Sequence, residues 1–255
     1  MANLRAGVIG IGSMGRHHAR IMREIDGVDL VAVADPGGDR FGAAGGLPVG
    51  QTVEDLIAAR LDLAVVAVPT VCHEQVALAL AEARVPTMVE KPVAASADAA
   101  RRVSDAFAAS GVVACVGHVE RFNPAIADMR RRIGQGELGE VYQVATRRQG
   151  PFPARISDVG VVKDLATHDI NSSQWLAGSD YETVFAQVSH RAGREHEDMV
   201  LISAKMANGV LANHIVNWLS PMKERLTMVT GERGAFVADT ANVTLTFWAN
   251  GSVPT

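Results

Sequence analysis

A regular alternation of short apolar runs with helical segments over residues 1–120 constrains the fold of this chain more than any other feature. The runs lack polar alternation, which is typical of strands covered on both faces, and they occupy residues 6–11, 30–34, 63–68, 87–89 and 112–116. Val76, Leu80 and Ala83 have helical spacing, and Thr52 with Asp55 forms a predicted capping pair at the start of another helix. This alternation predicts an α/β fold with a parallel sheet and right-handed crossovers.

The character of the sequence changes near residue 120. Of the 7 Phe, 3 Trp and 2 Tyr residues, only Phe41 and Phe107 precede that position. Helical patterns at residues 124–133 and 164–176 are followed by strand patterns on either side of Asn208-Gly209, a strong hairpin signal, and on either side of a turn at residues 231–234. We therefore predict a first domain over residues 1–120 and a second, α+β domain over residues 121–255. The second domain should have an open, mostly antiparallel sheet with helices on one face.

Two further expectations concern the second domain. A strand pattern at residues 243–248 and a turn at Asn250-Gly251 are followed only by residues 252–255, so we expect the sequence to be a truncated form of a longer protein. A sheet that is covered by helices on one face leaves an apolar face that needs a partner. We therefore expect a homo-oligomer formed through the C-terminal sheet.

Composition excludes several classes of protein. The chain is 48% hydrophobic and has 24 Lys+Arg against 28 Asp+Glu, so its formal charge is −4. These values give no support for a disordered or a nucleic-acid-binding chain, and no uncharged apolar run reaches the ~18 residues of a membrane span. Cys72 and Cys115 are isolated, which fits a reducing cytoplasm. No compact His/Cys spacing predicts a metal site, and the adjacent His17 and His18 do not share a helix face, so we predict packing or solvent roles for both.

A glycine-rich motif joins the first strand to the first helix. It reads Gly10-Ile11-Gly12-Ser13-Met14-Gly15, and Asp35 lies 20 residues beyond Gly15 at the end of the next strand pattern. In a dinucleotide-binding Rossmann domain the three glycines permit a tight turn, approach of the backbone to the pyrophosphate and close helix packing, and the acid binds the ribose. A turn that merely joins strand to helix is the alternative. A carboxylate at Asp35 repels a 2′-phosphate, so NAD is predicted over NADP, although Arg40 is near in sequence.

Two segments carry residues suited to acid–base chemistry. Glu90-Lys91-Pro92 follows the run at residues 87–89, and the carboxyl ends of parallel strands line the ligand crevice. Asp164 and His168 are four residues apart, so on a helix they share a face, where a carboxylate can orient an imidazole base. Taken alone, each has a plain alternative: Lys91 as a solvated loop charge, Asp164 as a favourable charge at a helix start, and His168 as a half-buried side chain.

Together these motifs resemble the Gfo/Idh/MocA oxidoreductase family. The resemblance rests on the glycine motif, on Glu90-Lys91-Pro92, on residues 117–124 (Gly-His-Val-Glu-Arg-Phe-Asn-Pro) and on Asp164 with His168-Asp169-Ile170, in matching order along the chain. It implies a Rossmann domain followed by an α/β domain with an open antiparallel sheet. It also implies NAD(P)-dependent redox chemistry on a sugar or polyol, with Lys91, Asp164 and His168 as catalytic residues.

The predicted binding residues follow from the fingerprint and the resemblance. The cofactor set is Gly10, Gly12, Ser13, Met14, Gly15, Asp35, Pro69, Thr70, His73, Glu90, Lys91 and Arg121. The substrate set is Lys91, Asn123, Arg155 and His168. Asn171 stands where the family often has an aspartate, which puts one contact in doubt.

The substrate is open at this stage. Residues 117–124 resemble relatives that oxidise the 3-hydroxyl of UDP-N-acetylhexosamines, and Arg147, Arg148 and Arg155 are candidates for binding a diphosphate, with solvated surface as the alternative. Arg130, Arg131 and Arg132 are predicted to be solvated. An inositol or simple polyol dehydrogenase is a second hypothesis on the same scaffold. A non-catalytic NAD(P)-binding sensor is a hypothesis of another class, against which the Lys91, Asp164 and His168 trio argues.

Overall fold

The computed structural model describes residues 2–153 and 159–251, which form two compact units, Met1–Gly117 and His118–Thr255. The helices and strands of the first unit are β1 Leu4–Ile9, α1 Gly15–Glu24, β2 Val28–Ala34, β3 Val49–Gly50, α2 Val53–Ala58, β4 Leu63–Val66, α3 His73–Glu82, β5 Thr87–Val89, α4 Ala97–Ser110 and β6 Ala114–Val116. A 3-10 turn, Thr70–Cys72, precedes α3. The strands form one six-stranded sheet in the order β3-β2-β1-β4-β5-β6.

All strand pairs of this sheet are parallel, and the predicted parallel sheet is therefore confirmed. Adjacent residues of one strand enter different apolar clusters: Val8 packs with Val33 and Val65 on one face, whereas Ile9 packs with Val66 and Leu80 on the other. Both faces of the central strands are thus covered. This explains why their sequences are apolar throughout.

Local capping signals also agree with the structure. Thr52 and Asp55 form a reciprocal capping box at the start of α2. The run predicted at residues 6–11 ends as a strand at Ile9, because Gly10 has a φ of +81° and turns the chain. The sequence pattern could not separate strand from turn there, since Ile11 is as apolar as the strand residues.

The second unit contains α5 Pro124–Gly134, β7 Val141–Pro151, α6 Thr167–Ala177, β8 Tyr181–Ser189, β9 Met199–Met206, β10 Leu211–Asn217, β11 Leu219–Gly231, β12 Gly234–Asp239 and β13 Thr244–Ala249. A 3-10 turn, Val119–Phe122, precedes α5, and a π turn, Val162–Ala166, precedes α6. The strands form a seven-stranded sheet in the order β13-β12-β11-β7-β10-β9-β8. Its pairs are antiparallel except β7 with β10, which confirms the predicted mostly antiparallel sheet.

The helices of the second unit pack on one face of this sheet. Ile126 and Met129 of α5 and Leu176 of α6 are fully buried in one cluster with Val144 and Phe236 of the sheet. The opposite face exposes large apolar side chains on five strands: Phe185, Leu201, Leu211, Met228 and Trp248. The sheet is therefore open on one side.

The predicted hairpins are present, and one predicted helix differs. Gly209, with a φ of +90°, lies in the turn that joins β9 to β10. The helix predicted over residues 164–176 begins instead as the π turn and becomes α-helical only at Thr167. Apolar periodicity does not distinguish these two helix types over one turn. No helix in the described part of the chain is long and apolar enough to span a bilayer.

Candidate functional site

The glycine-rich loop has the shape of a dinucleotide cradle. A Cβ on Gly10 would lie 2.6 Å from the Ala67 carbonyl, and a Cβ on Gly15 would lie 1.6 Å from the Gly10 oxygen, so both positions require glycine. Gly12 has no heavy atom within 4 Å of its Cβ position. Space thus remains over Gly12, where the backbone can approach a pyrophosphate.

The start of α1 is suited to an anion. Met14 occupies the cap position without a side-chain hydrogen bond to the first turn, and that turn contains no acidic residue. Ser13 and Met14 are exposed. The first N–H groups of a helix have no partner within it, and with the helix dipole they favour a phosphate at this end.

Asp35 follows β2 directly and is tied to the same loop. Its carboxylate accepts hydrogen bonds from the Ile11 N–H at 3.0 Å and from the Gly37 N–H at 2.7 Å. The Arg40 guanidinium lies next to Gly37, since a Cβ on that glycine would be 3.2 Å from Arg40 Nη2. The acid expected to bind a ribose is therefore held at the edge of the cradle, and the glycines, the uncapped helix start and this carboxylate together fit a dinucleotide.

The loops after β4 and β5 contain the next group of predicted site residues. Pro69 is exposed and Thr70 half-buried, just before α3. His73 is only 1% exposed, and its Nδ1 and Nε2 lie 2.8 Å from the Pro92 oxygen and 2.9 Å from the Val68 oxygen. This burial disfavours the direct cofactor contact predicted for His73, because both ring nitrogens are engaged by backbone carbonyls.

Lys91 is half-buried in the loop after β5, beside a fixed carboxylate. Oε1 of the buried Glu90 lies 2.7 Å from Nε2 of His18, and Oε2 accepts the Lys91 backbone N–H at 3.1 Å. Burial raises the pKa of Glu90, but the hydrogen bond and charge of His18 and the contact with Lys91 outweigh it, so the pKa lies below its usual value. His18, for which we predicted only packing or solvent exposure, is thus a hydrogen-bond partner of this motif, 72 residues away in sequence.

In the second unit, Asp164 and His168 lie at the junction of the π turn and α6. Asp164 is buried on the π turn and His168 is half-buried in the first turn of α6. A step of four residues along this junction keeps both on one side of the helix. π turns inserted in helices occur frequently at functional sites.

A buried ion cluster supports this junction. Arg148 of β7 donates to Asp169, next to His168, and binds Glu120 of the 3-10 turn, both at 2.9 Å. Burial, together with Glu120, raises the pKa of Asp169 although Arg148 opposes this, and the two carboxylates raise the pKa of Arg148 against its own burial. Arg148 is 6% exposed. The prediction that it contacts a diphosphate is therefore corrected, because its guanidinium is buried among acids.

Other predicted binding residues have protein partners. Arg121 donates through Nε to Asn171 Oδ1 at 2.8 Å and lies 5.6 Å from the Trp175 ring, so Asn171 fills the place of the expected aspartate with a neutral acceptor. Asn123 caps α5 by accepting the Ala125 N–H, and its amide donates to the Thr240 carbonyl. This dual use disfavours the predicted substrate contact of Asn123. Arg155 lies outside the described residues.

Two other observations concern Arg147 and metal binding. Arg147, half exposed, pairs with Glu224 at 3.2 Å. Within residues 2–153 and 159–251, no cluster of three or more His, Cys, Asp or Glu residues could hold a metal ion. Among the predicted catalytic residues, Lys91 carries an ammonium, His168 an imidazole and Asp164 a carboxylate.

A parallel sheet with a glycine cradle, followed by an open antiparallel sheet, defines a dinucleotide-binding oxidoreductase. Residues 4–118 match the family model described as "Oxidoreductase family, NAD-binding Rossmann fold", and residues 126–237 match the "GFO/IDH/MocA C-terminal domain". The chain belongs to the Gfo/Idh/MocA oxidoreductase family. This confirms the resemblance seen in its motifs, and the family description agrees with the prediction of NAD as cofactor.

Known relatives include enzymes that act on different alcohols. Inositol 2-dehydrogenase 4 of Saccharopolyspora erythraea is 32% identical over 82% of this chain, which spans 65% of the length of that enzyme. UDP-N-acetylglucosamine 3-dehydrogenase of Acidithiobacillus ferrooxidans has a solved structure that is 27% identical, with a TM-score of 0.87 over 98% of this chain and 81% of its own. GenD2 from gentamicin A biosynthesis, solved in complex with NAD, is 26% identical, with a TM-score of 0.85 over 94% of this chain and 73% of its own.

Proposed function

We propose that this chain is an NAD-dependent dehydrogenase that transfers hydride between a secondary alcohol of a sugar or nucleotide sugar and the nicotinamide. One observation carries the proposal. Lys91 lies just after the end of β5. The glycine cradle follows β1 and Asp35 follows β2 at this same edge of the parallel sheet. An ammonium group at this edge suits a reacting oxygen close to a bound dinucleotide.

Each catalytic residue has a distinct role in the proposed oxidation. When bound, NAD would supply the hydride acceptor. His168 removes the proton of the hydroxyl group, and Asp164 orients the imidazole and stabilises its protonated form. Lys91 stabilises the negative charge that develops on the oxygen as the C–H bond breaks. The products are a ketone and the reduced cofactor, with the proton on His168.

A UDP-N-acetylhexosamine is the first candidate substrate. The structural similarity to UDP-N-acetylglucosamine 3-dehydrogenase supports it. A diphosphate needs cationic partners, and Arg121 suits this role because its acceptor Asn171 is neutral and leaves the guanidinium charge uncompensated in that pair.

An inositol is the second candidate. It is supported by the 32% identity to an inositol 2-dehydrogenase. It also agrees with the burial of Arg148 and the pairing of Arg147 with Glu224, since an uncharged polyol needs no diphosphate-binding arginines. Both candidates are cyclic secondary alcohols, so the same three residues serve either one.

A substrate panel tests the proposed activity. UDP-N-acetylglucosamine, myo-inositol and glucose are each incubated with the chain and either NAD or NADP, and reduced cofactor is followed by absorbance. We expect oxidation of one of them with NAD preferred. Tight NAD binding without oxidation of any polyol or nucleotide sugar would contradict the proposal and favour a sensor that binds NAD without turnover.

Substitution of the proposed catalytic residues tests their roles. Lys91→Ala and His168→Ala should each lower kcat by roughly 10²–10⁴-fold, the range of general acid–base catalysis, while NAD binding measured by calorimetry persists. Lys223→Ala and His190→Ala replace exposed residues of the same types and serve as matched controls. Wild-type turnover in Lys91→Ala and His168→Ala would refute the assignment.

The open face of the second sheet suits a second copy of the chain. Phe185, Leu201, Leu211 and Met228 form an exposed apolar surface on the side opposite the helices. We expect a homo-oligomer in solution, and Leu201→Glu should lower the mass measured by light scattering. A monomer at high concentration would contradict this expectation.

A further inference from the structure

Histidines from two different helices hold the residues on either side of Lys91. His18 of α1 contacts the Glu90 carboxylate at 2.7 Å, and His73 of α3 contacts the Pro92 carbonyl at 2.8 Å. We propose that His18 and His73 are positioning residues that together fix the Lys91 ammonium relative to the glycine cradle. This inference rests on the proposed function, because it gives both histidines their role through Lys91.

The His18 contact links Lys91 to the cradle. His18 lies about one turn into α1, the helix that begins at Gly15. Its partner Glu90 also accepts the backbone N–H of Lys91, so one carboxylate connects the helix to the lysine itself. Gly117 leaves room for this carboxylate, since a Cβ there would lie 3.2 Å from its carbon. The distance from cradle to lysine is therefore set by a side-chain bridge as well as by the sheet.

The His73 contact holds the other end of the segment. Its imidazole joins the loop after β4, through the Val68 oxygen, to the loop after β5, through the Pro92 oxygen. A backbone carbonyl only accepts hydrogen bonds, and a neutral imidazole has only one N–H. One ring nitrogen therefore donates to a carbonyl in either tautomer, and the imidazole lies between the two loops.

The expected consequence is kinetic. Misplacing a reacting group by about 1 Å can lower the rate by about 10²-fold without changing ground-state binding. Loss of either histidine should therefore lower kcat while NAD affinity persists. A merely structural role would instead lower the folded fraction and leave the kcat of the folded enzyme unchanged.

Kinetics test the positioning role with the substrate that the panel identifies. His18→Leu and His73→Leu should each lower kcat roughly 10- to 100-fold, with NAD affinity unchanged. His18→Gln keeps a donor for Glu90 and should recover most of the kcat. His17→Gln, an exposed neighbour on the same helix, is the matched control. If His73→Leu does not fold, the His18 series still decides.

The outcomes separate this inference from the proposed function. Full activity of Lys91→Ala refutes the catalytic role of the lysine. Loss of activity in Lys91→Ala with wild-type kcat in His18→Leu and His73→Leu refutes the positioning role alone. In a Lys91→Ala background, removal of His18 should cause no further loss, because residues that act through one group are not additive.

Discussion

The two units of the chain hold their functional groups in different ways. In the first unit the main chain determines the geometry of the site: Gly10 and Gly15 shape the cradle, and backbone N–H groups orient Asp35. In the second unit, buried charged side chains, Arg148 with Asp169 and Glu120, hold the junction that bears His168. A site built from backbone geometry needs particular residues at fixed spacings. A site built from an ion cluster needs only partners that meet in space.

The same difference separates two buried histidines. His73 faces two backbone carbonyls, whereas His214 lies 2.8 Å from the Thr146 hydroxyl and 3.0 Å from the Tyr181 hydroxyl. A hydroxyl can donate or accept, so a neutral His214 is fully bonded. Burial lowers the pKa of His214 to about 4 and raises the pKa of Tyr181 to about 12. The two hydroxyl partners of His214 thus fit the neutral form that its burial favours.

The largest effect on stability is expected from the ion cluster. Arg148→Met leaves the buried Asp169 and the half-buried Glu120 without this cation, which should cost about 3–5 kcal/mol of unfolding free energy in urea. The neighbouring Arg147→Met removes a half-exposed pair and should cost less than about 1 kcal/mol. Equal losses in the two variants would contradict the distinction between the buried and the exposed pair.

A second prediction concerns the backbone of the cradle. A Cβ on Gly15 meets the Gly10 oxygen, so Gly15→Ala should cost about 3 kcal/mol and abolish NAD binding. Gly12→Ala places its Cβ in open space and should leave the unfolding free energy unchanged while weakening NAD binding. Urea unfolding and calorimetric titration distinguish the packing glycine from the ligand glycine. A stable, NAD-binding Gly15→Ala variant would refute this explanation.

A third prediction uses pH to test the burial of the neutral His214. The pKa of His214 is lowered to about 4 in the folded state, below its value of about 6.5 in the unfolded state, so acid favours unfolding. Between about pH 7 and pH 5 this should remove about 2 kcal/mol of stability. His214→Gln should remove that dependence, whereas His190→Gln, an exposed control in the same unit, should keep it. An unchanged pH slope in His214→Gln would show that the histidine is not buried neutral.

The smallest effect is expected from a local backbone contact. Thr52→Ala removes the side chain that accepts the Asp55 N–H at the start of α2, which should cost about 1 kcal/mol. Glu54→Ala, in the same turn but outside the reciprocal pair, should change the unfolding free energy by less than about 0.5 kcal/mol. An equal effect of both substitutions in urea unfolding would assign the loss to charge rather than to capping.

Sequence reasoning succeeded where the signal is local. The capping box at Thr52 and the hairpin with Gly209 each depend on contacts within a few residues. It did not predict that Asn123 caps α5 and binds the Thr240 carbonyl, 117 residues away. A candidate binding residue and a structural residue have the same side chain, and only their surroundings distinguish them.

The amino-acid sequence by itself determined the family, the two sheet types and the dinucleotide cradle, because strand periodicity and glycine spacing act over short stretches of chain. Tertiary structure alone decided that Arg148 is buried among acids, that His18 reaches Glu90 and that His73 lies between two carbonyls. Apart from the His73–Val68 contact, these contacts join residues that are distant in sequence. Their electrostatic and hydrogen-bonding energies depend on distance and burial in the folded chain, and neither quantity is encoded in residue spacing.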